Sequence, residues 1–166
     1  MAELKNLSKE AIPDALDKAV RYRLLNEPDQ AESICLDVLE IEPKNQKALI
    51  NLVLALADQL EQRLSAAANE ATDVIKRLDD DYDKAYYSGI VCERRARAIL
   101  RLNTPGCHHA AYDWYQEAFR QYEKAIDLRR PGSDDAILRW NSCVRALDRN
   151  PRLEPAPADT FEPFLE

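Results

Sequence analysis

The chain has 166 residues, a formal net charge of −7 at pH 7 and 46% hydrophobic residues, which suits one domain with a core of useful size. An acidic total without a recognised binding motif argues against nucleic acid as a partner. Only three glycines occur, the nine prolines fall almost wholly between apolar-periodic stretches or in the tail, and no alternating run bounded by turn residues suggests strands, so the expectation is all-α.

Residues 1–11 form a polar N-terminal segment of mixed charge without the apolar centre of a secretory signal. A first helix follows, because Ala15, Leu16, Ala19, Val20, Tyr22 and Leu25 recur three and four apart. Pro28 closes it and opens a second, since proline is tolerated in the first helical turn and not deeper. Ala31, Ile34, Cys35, Val38 and Leu39 line the second helix, and the small Ala19 and Ala31 let the two backbones approach closely. Pro43 and Asn45 end that pair and start a third helix on Leu49, Leu52, Val53 and Leu56, with Ala67 and Ala71 on a fourth. The apolar run Ala48 to Ala57 is broken by Asn51 and falls far short of the ~20 residues of a membrane crossing. A cytoplasmic protein with no membrane partner is therefore expected.

Asp79, Asp80, Asp81 and Asp83 come next. They lack the glycine, the spacing and the final Glu of a calcium loop, and are expected to cap the next helix and oppose its dipole. Two long helices, Asp83 to Leu102 and Ala110 to Arg129, have no internal breaker except Gly89 and turn at Thr104-Pro105-Gly106. After the stop Pro131-Gly132-Ser133, a seventh helix from Asp134 to Asp148 carries Ile137, Leu138, Trp140, Val144 and Leu147 on one broad face. The helical domain is thus placed at residues 12–148, followed by a Pro-rich acidic tail at 149–166.

The stretch from Ala15 to Pro43 also matches a known pattern. The tetratricopeptide repeat runs Trp, two residues, Leu-Gly, two residues, Tyr, then Ala, three residues, Phe, and Pro. Here those slots hold Ala15, Lys18, Ala19, Tyr22, Ala31, Cys35 and Pro43. Thirty-four residues on they hold Leu49, Leu52, Val53 and Leu56, then Ala67 and Ala71 after a two-residue insertion. A third set is Ala85, Ser88, Gly89 and Cys92 with Ala118, Tyr122, Ala125 and Pro131, lengthened by about seventeen residues. The chain resembles the tetratricopeptide repeat (TPR) family over residues 12–148, best in the first unit.

That resemblance implies a right-handed superhelical stack of about three TPR-like helical hairpins and a C-terminal capping helix, the end units being atypical because one face meets water. It also implies a concave groove that takes a peptide or helix of a partner protein. Leu16, Val20 and Arg23 of the first unit, Lys47, Ile50, Asn51 and Leu54 of the second, and Tyr86, Tyr87, Ile90 and Arg94 of the third would line it. Leu54 and Ile90 fit core as well as groove, because one residue of register turns a helix face by ~100°. Chaperone-binding members of the family clamp a terminal carboxylate with Lys, Asn and Arg. Asn51 matches one clamp slot, but Leu16, Val20, Asp83 and Tyr87 occupy others, which disfavours that ligand. The implied function is an adaptor or scaffold without catalysis. The alternative is a regulatory or structural subunit whose repeats self-associate, which a long exposed stripe at Trp114, Tyr115 and Trp140 would indicate.

No phosphate-binding glycine pattern, nucleophile elbow or zinc-protease motif is present, so neither enzyme chemistry nor a cofactor is expected. Cys35, Cys92, Cys107 and Cys143 lack paired short spacing and read as buried free thiols. Cys107-His108-His109 is a cluster in sequence only, because adjacent side chains on a helix diverge, and no metal is expected there. Charge is unevenly placed. Residues 1–83 carry ten Lys and Arg against eighteen Asp and Glu, residues 84–152 thirteen against eight, and eleven of fifteen arginines fall after residue 84, including Arg94, Arg95, Arg97 and Arg101. The tail ends Thr160-Phe161-Glu162-Pro163-Phe164-Leu165-Glu166, acidic and aromatic like a ligand. It could occupy its own groove, a neighbouring chain's groove or the Arg-rich last unit, or remain mobile.

Overall fold

The structure is a computed structural model that describes residues 2–157. A short 3-10 turn, Lys9–Ala11, leads into seven α-helices: α1 Ile12–Leu24, α2 Pro28–Ile41, α3 Gln46–Asp58, α4 Leu64–Ile75, α5 Asp81–Leu102, α6 Cys107–Leu128 and α7 Asp135–Arg149. No strand occurs among the described residues, and none of these helices is long and apolar enough to cross a membrane.

The boundaries follow from local chemistry. Pro28 occupies the first turn of α2, where its missing N–H costs nothing. The Asn45 side chain caps α3 by accepting from the Ala48 N–H at 3.0 Å. Asp80 does the same for α5, accepting from the Asp83 N–H at 3.1 Å, so the acidic cluster serves as a helix start. Burial, with the charge of Asp80 added to it, pushes the Asp83 carboxyl up. Because the cap is Asp80, α5 begins at Asp81, two residues before the position expected from sequence. Asn103 (φ 48°) ends α5 and Gly106 (φ 78°) opens α6, a turn tight enough that α6 starts at Cys107, not Ala110. Helix α7 lies one residue further along than expected.

Each helix packs against the next, and α1 also touches α3, α3 touches α5, and α5 touches α7. The odd helices thus form a row, with each of α2, α4 and α6 packed on the odd helix before and after it. Most of the recurring sequence positions face inward, although Lys18, Pro43 and Pro131 are exposed and Tyr22 and Ser88 half-buried. Ala15, Ala19, Ala31 and Cys35, then Leu49, Leu52, Val53, Leu56, Ala67 and Ala71, then Ala85, Cys92, Ala118, Tyr122 and Ala125 are all buried. Each large aliphatic among them contributes about 1.5–3 kcal/mol. All four cysteines are buried free thiols.

Two cores result. The first gathers α1 to α4 around Leu49, Leu52, Val53 and Leu56. The second joins α5, α6 and α7 around Ile90, Tyr115, Tyr122 and Cys143, with Leu153 from beyond α7 added. Gly89 sets how closely α5 and α6 meet, since a Cβ there would stand 2.4 Å from Tyr122 Cε1. Below it sits Glu93, wholly buried. The Tyr122 hydroxyl donates to Glu93 Oε2 at 2.7 Å, while Arg97 pairs with Oε1 and Arg139 Nη1 lies 3.5 Å from it. One carboxylate therefore ties three helices.

Candidate functional site

The C-terminal ends of α1 and α3 lie beside the middle of α5, joined by a single carboxylate. Arg23 Nε donates to Asp58 Oδ2 at 2.7 Å, and Arg94 donates to Asp58 Oδ1 and, at 3.3 Å, to the Leu54 carbonyl. Burial draws the Arg94 guanidinium down from its ordinary value, and the charge of Asp58 opposes that shift. Both arginines are mostly covered, with side chains 17% and 22% exposed. They form the base of a cleft of about 450 Å³ that also takes in Val20, Leu24, Arg97 and Arg101. Arg101 pairs with Glu61, and Arg97 extends from the buried Glu93. The cleft thus offers two apolar side chains on one lip and guanidinium groups on the other. The more exposed guanidinium groups of Arg97 and Arg101 suit a carboxylate, and an apolar lip suits an aliphatic or aromatic neighbour on the same ligand.

Of the positions expected to line a groove, Val20, Arg23 and Arg94 come together here. Leu16 and Ile90 do not, for both are buried in the cores, 8% and 2% exposed, and offer a ligand nothing. Each faces its own neighbouring helix because the inward face of an α-helix is one residue from the outward one. Leu54 and Ile50 are half-buried and pack onto the second and first cores respectively. Lys47 is exposed at the other end of α3, and its carbonyl accepts from Asn51 Nδ2 at 3.0 Å, which ties that amide to its own helix. Tyr86 and Tyr87 are half-buried in an aromatic group. Tyr82 stacks on Tyr86 at 5.7 Å and Tyr87 meets Tyr86 edge-on at 5.1 Å. Burial pushes the Tyr87 hydroxyl up to about 12.

Asp58, Glu61, Arg97 and Arg101 belong to the cleft and were not among the sequence candidates. A signal for them exists. Asp58 and Glu61 continue the stripe of Asn51 and Leu54 at helical spacing, and Arg97 and Arg101 continue that of Arg94.

Among the described residues no three His, Cys, Asp or Glu side chains are arranged to hold a metal ion. Cys107 Sγ and His108 Nδ1 stand 3.4 Å apart, whereas His109 Nδ1 meets the Glu154 carbonyl at 2.9 Å, so the two imidazoles serve different neighbours. No protein-family model, curated protein or solved structure matches the chain.

Proposed function

We propose that the chain is an interaction module of tetratricopeptide-like build, which offers the row α1, α3 and α5 to a peptide or helix of a partner protein and carries no chemistry of its own. In this reading the hairpins α1–α2, α3–α4 and α5–α6 wind as a right-handed superhelical stack, and α7 caps it. The contacts between successive odd helices and the burial of the recurring slots support that reading.

The observation that carries it is the cleft at the meeting of α1, α3 and α5, where Asp58 fixes Arg23 and Arg94 beside the exposed Val20 and Leu24. Interface anchors are typically arginine or large apolar groups held in place before the partner arrives. Arg97 and Arg101, 48% and 68% exposed, complete a surface suited to an acidic segment bearing an apolar side chain.

Self-association is less well supported. Tyr115 is buried, Trp114 lies beneath the Arg95 guanidinium at 4.0 Å, and Trp140 packs on Phe119 at 4.6 Å, so these rings form no exposed stripe. The test is selection of peptides from a displayed random library on the immobilised full chain. Acidic peptides with an apolar anchor are expected, weakened about tenfold or more, ~1.4 kcal/mol, by Val20→Glu or Arg101→Glu. Leu138→Glu, on exposed α7 surface, leaves them unchanged. Selected peptides indifferent to both cleft substitutions overturn the reading.

A further inference from the structure

A second concavity lies away from the α1–α3–α5 face. Helices α4, α5 and α6 surround a cavity of about 630 Å³, well inside the size range of ligand sites. Ile75, Val91, Cys92 and Trp114 give it an apolar floor. Small side chains at Ala68, Thr72 and Ser88 leave it open, and Arg95 crosses it with its guanidinium over the Trp114 ring.

Arg95 differs from the other arginines of its helix. Arg94 is paired with Asp58, Arg97 with Glu93 and Arg101 with Glu61. Among the described residues Arg95 has no carboxylate partner, and its Nε is buried without a hydrogen-bond acceptor. A buried donor left unmade costs about 1–3 kcal/mol, and more when charged. Of the two carboxylates at the cavity, Glu117 is engaged by Gln121 and Arg120, whose hydrogen bonds hold it below its ordinary value, and Asp113 is exposed on the rim. The site thus has an apolar floor and one cation in want of an anion.

The chain itself approaches this place. Beyond α7, Leu153 seats in the second core, and the Glu154 carbonyl meets His109 on α6. Asp113 is one turn of α6 further along the same face, followed by Trp114 and Glu117. From His109 to Glu117 the helix rises ~12 Å. Phe161 lies seven positions beyond Glu154, and an extended chain over seven steps spans up to ~24 Å. Residues 158–166 lie outside the described residues. Their sequence supplies Phe161, Phe164 and Leu165 for an apolar floor, and Asp159, Glu162 and Glu166 for a guanidinium.

We infer that the cavity between α4, α5 and α6 receives the chain's own segment 158–166, with a phenylalanine ring beside Trp114 and a carboxylate on Arg95. This surface is separate from the partner cleft, and the inference stands whether or not that cleft binds a peptide.

The test uses the full-length chain with a photoreactive benzophenone amino acid in place of Phe164. After irradiation, cross-links mapped by mass spectrometry are expected at monomer mass, to peptides containing Ile75, Val91 or Trp114. Arg95→Gln is expected to lower their yield about fivefold or more, the loss of a charge-assisted hydrogen bond. Because Arg95 also packs on Trp114, a second variant leaves the helices untouched: Asp159→Asn, Glu162→Gln and Glu166→Gln together lower the yield similarly. Cross-links to the cavity only at dimer mass, cross-links to the Arg101 cleft instead, or a yield unmoved by the tail variant each overturn the inference.

Discussion

Helices α1 to α4 run 13, 14, 13 and 12 residues, whereas α5 and α6 have 22 each, and the two halves are held together differently. The first half buries leucine, valine and alanine in a core that needs only correct spacing. The second adds two buried tyrosines, a glycine notch and a wholly buried carboxylate. The contrast is clearest at one repeat position, for Gln59 and Glu93 are thirty-four residues apart and both buried. Gln59 donates to the Ala55 carbonyl at 3.3 Å and, across to α2, to Glu32 Oε2 at 2.5 Å, and accepts from Arg63 at 3.2 Å, a neutral amide joining two helices. Glu93 instead draws Tyr122 and two arginines from three helices onto one charge. Long helices can slide past each other by a turn with little loss of apolar burial, and a buried charge with fixed partners selects one register.

The largest expected effect tests that difference directly. Glu93→Ala removes the anion and leaves the Tyr122 hydroxyl buried beside two cations, at a cost of about 3 kcal/mol. Gln59→Ala loses a neutral amide whose partner Glu32 keeps Arg63, and costs about 1.5 kcal/mol. Urea denaturation of the two variants measures the ratio. Equal losses would show that Glu93 is one more filled position, not the fastener of the second half.

The glycine notch gives a smaller effect of opposite sign to the usual one. Alanine for glycine inside a helix ordinarily stabilises by about 1 kcal/mol. At Gly89 the new methyl meets Tyr122 Cε1 and Cδ1 at 2.4 and 2.5 Å, ring atoms held in place by the hydroxyl's bond to Glu93. Overpacking of that kind costs about 1–3 kcal/mol, so Gly89→Ala is expected to be destabilising by about 1 kcal/mol net. Thermal unfolding of the variant decides it, and an unchanged or raised Tm would mean that α5 and α6 can part without loss.

The same contrast explains what could be read from the sequence. The starts of α2 and α3 were legible because Pro28 and Asn45 act within one turn of where they stand, whereas α5 and α6 begin two and three residues earlier than their spacing suggested. The recurring slots were legible because three- and four-residue spacing alone decides which face is covered. In the candidate cleft, Val20, Arg23 and Arg94 were among the positions read from spacing, whereas Asp58, though it continues the stripe of Asn51 and Leu54, shows its pairing role only once the ends of α1 and α3 meet α5. Leu16 and Ile90 failed as surface residues through a rotation of one position. Glu93 gave no signal, because a single acid within a run of arginines reads as solvated surface until Tyr122, twenty-nine residues later, is brought against it. The cavity at Arg95 was equally hidden, its small residues being those that also let helices pack closely.

The smallest effect compares the thiols of the two halves. Burial pushes Cys35 in the first half, and Cys92 and Cys143 in the second, from an ordinary value near 9.0 up to about 12, with the charges of Glu117 and Glu93 adding to the shift at Cys92 and Cys143 respectively. The raised value belongs to the folded state, so that state keeps a proton the unfolded chain gives up. Each thiol's contribution is therefore fully present below pH 9 and is lost as the pH rises from 9 toward 12. Between pH 8 and 10 this amounts to about 1.4 kcal/mol per thiol. Cys35→Ala is expected to remove one such increment from the pH dependence, and Cys92→Ala with Cys143→Ala to remove two, whatever the variants do to stability at pH 7. Urea midpoints at pH 8 and pH 10 give both differences, and the full set of other titrating groups cancels between variants. Should the single and the double variant both keep the parent slope, the thiols would be reachable by water, and the second half would owe its order to Glu93 and Gly89 without help from a dry core.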